Sequence, residues 1–329
     1  MAPEDITIAI TVYSRREFVK QAIESALSQS VPVRVMVVED CSPDPELRSF
    51  ILNEFGERIK YFKNPQRRGL FDNWNACIEH CRTAWLSILH DDDFLSGFFV
   101  AAMLKLAQQA PGRDLYFGQT VIVDQQGQPI EVCRAPPSFR SWEPISLEQM
   151  VESNPIAFPG QLFNTAAAKS VGGFRATSAY CGEWEMWTKL TARGGAAQAR
   201  EVVGFFREHT GWDRGTTQTV RSGKARLAAI VQHKRGLALL PADRRRRFNR
   251  TEFQRRAPMS VMTLLELGDM LPRRLLRYYV GLLVRSASPN WLHASFKQVA
   301  RLLGPAFVRM ASKAWHLSGK KPRQGIQRT

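Results

Sequence analysis

No stretch of this sequence is apolar enough, for long enough, to cross a bilayer. Spanning takes ~20 apolar residues, and the longest apolar run of the C-terminal third, Leu275 to Val284, is interrupted by Arg277. The first residues, Met1-Ala2-Pro3-Glu4-Asp5, lack the basic segment and apolar core of a signal peptide. The resulting expectation is a cytoplasmic protein, or one lying peripherally on the cytoplasmic face of a membrane. Cysteine is scarce: Cys41, Cys77, Cys81, Cys133 and Cys181 are odd in number and scattered, so no disulfide framework is legible. Cys77 and Cys81 flank His80, but two thiols one helical turn apart on an apolar face read as buried side chains before they read as metal ligands. Glycine is missing from the turn after the first apolar strand, which runs Tyr13-Ser14-Arg15-Arg16. That absence disfavours a dinucleotide-dependent oxidoreductase and a nucleotidyltransferase, both of which need a Gly-rich phosphate loop at that point. No zinc-finger or RNA-recognition signature is present, and no nucleic-acid partner is expected.

At 329 residues the chain can bury a full core and hold one large domain with an appendage, or two domains. Its 44% hydrophobic and 23% charged content is ordinary, so what informs is where the charge lies. Residues 221–329 carry 24 Lys and Arg against 4 Asp and Glu, so the formal net of +16 belongs wholly to that segment. Such a block calls for an anionic partner. It divides the chain into a domain over 1–220, a basic, mainly helical region over 221–317 and a tail over 318–329 expected to be disordered. From Trp291 to Met310 large apolar residues recur at roughly helical spacing with Lys297, Arg301 and Arg309 between them. This is a basic amphipathic helix suited to an anionic membrane surface. The competing reading packs the apolar stripe on the preceding domain and leaves the arginines solvated.

The first 125 residues alternate strand and helix. Strands are expected at Ile6–Val12, Val33–Val38, Ile59–Phe62, into Asp91, and at Asp114–Val123. Helices are expected at Arg15–Gln29, Pro45–Phe55, Phe71–Cys81 and Gly97–Gln109. Continuous apolar strands in such units indicate an α/β fold, a parallel sheet with helices on both faces. A hairpin turn is expected over 124–129, and a helix through Trp184-Glu185-Met186-Trp187. The rest of 130–210 is irregular.

Within this frame Leu86-Ser87-Ile88-Leu89 leads into His90-Asp91-Asp92-Asp93, an apolar strand ending in three carboxylates. Adjacent carboxylates repel, and a fold keeps them mainly where a cation or its ligand compensates. Oxygen ligands at the carboxyl end of a buried strand suit Mg²⁺ or Mn²⁺ completed by substrate phosphate. A solvated acidic turn is the plainer reading.

Taken in order, the motifs resemble those of the family-2 glycosyltransferases, which have the GT-A fold, over residues 5–210. Ile8-Ala9-Ile10-Thr11-Val12-Tyr13-Ser14 is similar to the family's first strand and nucleotide loop, and the resemblance implies that Thr11 and Tyr13 contact the base. Val37-Val38-Glu39-Asp40-Cys41-Ser42 resembles the acidic second loop, with Asp40 hydrogen-bonding the base. Asn64–Gly69, with Asn73 and Asn75, resembles the segment closing over diphosphate and ribose. Leu89–Asp93 resembles the metal-binding motif, implying Asp92 at ribose or metal and Asp93, with Asp91, at the metal. Gly172-Gly173-Phe174 and Gly182–Trp187 resemble the turn and helix that present the catalytic base, which falls on Glu183. Phe206-Arg207-Glu208-His209 resembles a closing Arg-x-His element, with Arg207 near donor phosphate and His209 near the metal. The sequence departs from the family in Thr11 for Pro, Glu39 for Asp, and Glu183 for Asp after Gly182 rather than Glu.

The resemblance implies an inverting, metal-dependent glycosyltransferase with a GT-A catalytic domain and a basic helical appendage. It would move a sugar from a nucleotide-diphosphate donor to a glycan or lipid-linked acceptor in cell-surface polysaccharide or glycolipid synthesis. The alternative is a catalytically inactive membrane- or polyanion-binding module on the same scaffold. Single residues carry competing readings as well. Glu183 is also a helix-start carboxylate favoured by the macrodipole, Asp40 an Asx-turn residue, Arg207 an exposed arginine and His209 a satisfied core imidazole. Trp142, Trp184 and Trp187 are core or acceptor-wall residues.

Overall fold

Seven consecutive buried residues, Ile6–Val12, form strand β1 at the centre of the sheet. β2 (Arg34–Glu39) pairs with it in parallel on one side and β4 (Trp85–His90) on the other. A strand flanked by strands and covered on both faces has no solvent side, so even Thr7 and Thr11 on its alternate face are buried. The computed structural model of the chain describes residues 1–132, 141–175, 181–209, 224–246 and 248. Met1–Gln218 and Ala228–Leu240 make up one compact unit, while Thr219–Leu227 and Pro241–Thr329 fall in a second. The Trp291–Met310 stripe and the tail from Ser318 lie outside the described residues.

Alternate side chains of β1 feed two cores. Ile6, Ile8 and Ile10 pack with α1 (Arg16–Leu27), α2 (Leu47–Phe55) and α4 (Phe99–Gln109) through Val19, Ile23, Ile51 and Met103. Ala9 faces α3 (Leu70–His80), α6 (Thr165–Ser170) and α7 (Gly182–Gly194) with Trp74, Ala167 and Trp187. This is the mixed α/β layering expected, with helices on both faces.

The sheet itself is not all parallel. Its order is β3-β2-β1-β4-β9-β6-β10-β5, with β3 at Lys60–Lys63, β5 at Phe94–Leu95, β6 at Leu115–Val123, β9 at Gln161–Asn164 and β10 at Ala196–Arg207. β7 (Pro129–Val132) makes the expected hairpin with β6, and β8 (Trp142–Ile145) pairs with β10. β9 runs antiparallel to both β4 and β6, which corrects the parallel expectation. It has only four residues, between Gly160 and Asn164, whose side chain caps α6, so no periodic pattern can develop there. β10 escapes a sequence reading for another reason. It is bulged, with register shifts between Gln198 and Gly204, and it relies on Gly204, where an added Cβ would lie 2.8 Å from the Pro159 carbonyl oxygen.

Helix α8 (Lys224–Leu239) contributes buried Ala228 and Leu237. It bonds to the first unit's own segments: Gln232 donates to Thr188 Oγ1 at 3.3 Å, and His233 Nδ1 lies 2.9 Å from the Val151 carbonyl. Among the described residues no helix is long and apolar enough to cross a membrane.

Trp184 and Trp187 are core residues. Trp184 donates to the Met150 carbonyl, and Trp187 is fully buried among the rings of Phe158, Phe163 and Phe174. The Trp187 indole N–H finds no acceptor among the described residues. Trp187→Ala should therefore cost about 3–5 kcal/mol in denaturant unfolding. Trp187→Phe keeps a ring and removes the unpaired donor, and should cost less than about half as much.

Candidate active site

Parallel pairing of β1 with β4 sets Thr11 beside His90, so the loops after both strands open at one end of the sheet. β2 ends at the same edge with Glu39 and Asp40. This is the carboxyl edge where open α/β sheets bind ligands.

The three aspartates of the turn after β4 are all buried, and each is compensated differently. Asp91 Oδ2 accepts from the Tyr13 amide at 3.2 Å, with Arg15 3.5 Å from its other oxygen. Burial, reinforced by Asp92, pushes its carboxyl up to about 6. Asp92 pairs directly with Arg15 and, at 2.7 Å, with His209 Nε2. Burial works against its charge, but Arg15, His90 and His209 together hold the carboxyl below its usual range. Asp93 Oδ1 accepts from the Arg207 amide at 2.8 Å. Its Oδ2 is buried and accepts no hydrogen bond among the described residues, with His90 Nδ1 3.5 Å away. Burial holds the Asp93 carboxyl above its usual range.

A divalent cation fits that geometry. Asp93 Oδ2 is an orphaned oxygen inside the site, and one donor atom from each of His90, Asp92 and Asp93 lies within 4.8 Å of the others. Asp91 stands apart from this group, turned toward Tyr13 and Arg15, and His209 joins it only through Asp92. Arg15 and His90 received no role in the sequence reading. The i, i+3 spacing of His90 and Asp93 was the signal available for one, while Arg15 reveals itself only through a contact 76 residues away.

The end of the site beside β2 is tightly knit. Asp40 Oδ1 accepts from the Asn64 side chain at 3.1 Å and the Arg68 amide at 2.7 Å, and Oδ2 accepts from the Gly69 amide at 2.8 Å. Asn73 accepts from Asn64 and donates to the Val38 carbonyl. Asp40 and Asn73 therefore fix the 64–69 loop over the end of β2. Thr11 Oγ1 is buried and donates to the Leu89 carbonyl at 3.4 Å. Tyr13 is partly exposed, with the Arg67 guanidinium 4.4 Å from its ring centroid. Asn75 clamps both the amide and the carbonyl of Phe174, setting the turn that leads toward α7.

Arg207 faces inward. Its guanidinium donates to the carbonyls of Asp92, Asp124 and Gln125 and to Gln21 Oε1, between the rings of Phe18 and Phe94. The expectation that it reaches donor phosphate gives way to a clamp that ties β10, α1 and the β6–β7 turn to the acidic turn.

Glu183 is in the first turn of α7. Burial holds its carboxyl above the usual range, and the charge of His90 partly offsets this. A carboxylate so placed is a stronger proton acceptor than a solvated one. Glu185, two residues on, is buried and paired with Lys189 at 2.7 Å, Arg235 at 2.9 Å and Arg175 at 3.5 Å. It is committed to holding α7, α8 and the Phe174 turn together.

Residues 7–161 match the model of glycosyl transferase family 2. Over these residues, a little under half of its length, the chain is similar to that family. The succinoglycan biosynthesis protein ExoO of Rhizobium meliloti (strain 1021) is 29% identical over 153 residues, 46% of this chain and 42% of that protein. The chondroitin synthase of Escherichia coli is 23% identical over 193 residues, 57% of this chain and 27% of that protein. The chain thus spans less than half the length of these two relatives. Among solved structures, TarS 1-349 of S. aureus superimposes with a TM-score of 0.60 at 12% identity, covering 97% of this chain and 92% of that one. The same protein in complex with UDP-GlcNAc gives 0.57 at 13% identity, with the same 97% and 92% coverage. At such identities the likeness is one of fold, and it is the GT-A-type mixed sheet.

Replacing Arg207 by Lys strands the buried Asp92 carbonyl, worth about 1–3 kcal/mol when left unpaired, and loosens the part-buried carbonyls of Asp124 and Gln125. Arg207→Lys should therefore lower the unfolding temperature measurably. A phosphate ligand at the surface would instead leave thermal unfolding unchanged and alter only the Michaelis constant for donor.

Proposed function

We propose that this glycosyltransferase moves a sugar from a nucleoside-diphosphate donor to an acceptor hydroxyl with inversion, in the synthesis of a cell-surface polysaccharide or glycolipid. The observation that carries the reading is the Asp93 Oδ2 oxygen, buried at the carboxyl edge of the sheet and accepting no hydrogen bond among the described residues. The family and the polymer-making relatives support the reading.

Glu183 accepts the proton of the acceptor hydroxyl as its oxygen attacks the anomeric carbon. The bond from that carbon to the diphosphate oxygen breaks on the opposite face. Tyr13 and Arg67 offer a ring and a guanidinium at the base end, and Asp40 fixes the loop that encloses them. Mg²⁺ or Mn²⁺ held by Asp93 and Asp92 would supply the charge that stabilises the leaving diphosphate.

Glu183→Gln should keep donor affinity and lower kcat by at least ~10²-fold, the low end for a general base. Asp93→Ala should abolish the Mn²⁺-dependent part of nucleoside-diphosphate binding in calorimetry. A donor panel led by UDP-sugars, because TarS has been crystallised with UDP-GlcNAc, should give metal-dependent release of free nucleotide. No turnover with any donor, with glycan or lipid-linked acceptors present, would favour an inactive polyanion- or membrane-binding module.

The basic segment favours a docking role alongside catalysis: residues 221–329, with their net of +20, bind an anionic membrane surface where a lipid-linked acceptor resides. Each basic side chain near such a leaflet contributes about 1 kcal/mol. The chain should co-sediment with anionic vesicles at low salt and detach in part as salt rises. Equal recovery on neutral vesicles would point to a segment that only packs.

A further inference from the structure

The cation-site reading leaves open why the residue before the aspartates is a histidine. We propose that His90 is a nitrogen ligand of that cation, completing a His90–Asp92–Asp93 set that favours Mn²⁺ over Mg²⁺. The inference rests on the reading of the acidic turn as a cation site.

Three observations converge on it. His90 Nδ1 lies 3.5 Å from Asp93 Oδ2, and that oxygen belongs to a carboxylate whose side chain is only 1% exposed and which accepts no hydrogen bond there. The two atoms thus face one another across a gap too long for a good hydrogen bond and of the right size for two ligands of one ion. Ligands ~2.1 Å from an ion sit at most about 4.2 Å apart, so the 4.8 Å spread of the three donors needs about half an ångström of adjustment.

The ring is also fixed in its plane. It stacks on Phe158 at 4.1 Å between centroids and 13° between planes, and on Trp74 at 5.5 Å and 14°. A lone pair on an imidazole nitrogen lies in the ring plane, so the stack directs Nδ1 along the line to Asp93 without costing rotational freedom on binding.

The alternatives for His90 are weaker. A core histidine satisfied by hydrogen bonds would have both nitrogens paired, yet Nε2 is buried with no partner among the described residues. His209 is the other imidazole nearby, but its Nε2 is already 2.7 Å from Asp92 Oδ2 and it adds stability to that carboxylate rather than joining the group.

A nitrogen donor changes which ion is held. Mg²⁺ demands oxygen ligands and surrenders its waters reluctantly. Affinity of mixed nitrogen and oxygen sites rises along the first transition row, starting from Mn²⁺. The set should bind Mn²⁺ about tenfold or more tighter than Mg²⁺, whereas an all-carboxylate site separates the two far less.

The test is spin-echo modulation of Mn²⁺ bound to the full chain with inorganic pyrophosphate, which carries no nitrogen. The expected result is a nitrogen coupling that persists in His209→Gln and vanishes in His90→Phe, which keeps the stacked ring, and in His90→Gln. Calorimetry should show the Mn²⁺ preference reduced about tenfold in both His90 variants. Mn²⁺ binding with no nitrogen coupling, or a coupling that survives in both His90 variants, overturns the role of His90 and leaves the aspartate site standing. No Mn²⁺ binding at all overturns the cation site and this inference with it.

Discussion

Burying three consecutive carboxylates is the constraint around which this molecule is arranged. Each aspartate after β4 must find positive charge or N–H groups, because an isolated carboxylate in a low-dielectric site is far costlier than a hydrogen-bonded one. The fold recruits them from segments far apart in sequence: Arg15 and the Tyr13 amide from the loop after β1, and the Arg207 amide and His209 from the end of β10. The N-terminal half of the sheet and its last strand are thus locked to one turn. Among the described residues Asp93 Oδ2 accepts no hydrogen bond, and His90 Nδ1 lies 3.5 Å from it. Asp91 and Asp92 are each paired by Arg15, whereas one oxygen of Asp93 has only the His90 ring near it, and that difference is what the proposed cation site rests on.

The same logic explains Arg207. A guanidinium buried among carbonyls has traded solvent for four hydrogen bonds and two aromatic faces, and burial pulls its affinity for the proton down from the usual value. Its contacts lie behind the site, on Asp92, Asp124 and Gln125, so it acts on the acidic turn through shape. Arg15, more exposed, places its charge directly on Asp91 and Asp92.

Which parts were legible follows from how each residue is satisfied. β1 could be read to the residue because it is a run of β-branched and apolar side chains, every one of them buried. The first four helices were placed within a few residues for a related reason, since their apolar faces recur at the helical period. β9 and β10 could not be read: one is four residues long, and the other is broken by bulges and built on small side chains. The acidic turn was legible as chemistry, because three adjacent carboxylates need an explanation wherever they occur. The division of labour among them was not, since it depends on contacts to Arg15, Arg207 and His209 up to 117 residues away. Asn73 and Asn75 illustrate the limit: their place in order is readable, but their amides hold main-chain atoms, and carbonyls carry no signature in the sequence.

The charge of the chain and its packing obey different rules, and the two diverge after Gln218. Net charge turns strongly positive from residue 221, a property that governs partners and solvation rather than fold. Packing follows apolar surface and paired polar groups instead, and Ala228–Leu240 belongs with the first unit on both counts. Arg235 of this segment shares the buried Glu185 carboxylate with Lys189 and Arg175. Glu185 sits one residue from Trp184 and two from Glu183, on the helix whose first turn presents the proposed base. A buried carboxylate stripped of its cations is strongly destabilising, so the orientation of α7 depends on a residue from the basic third of the sequence. The helix that presents Glu183 is therefore held in part from beyond the residues that match the family, by a contact that no boundary drawn from charge would include.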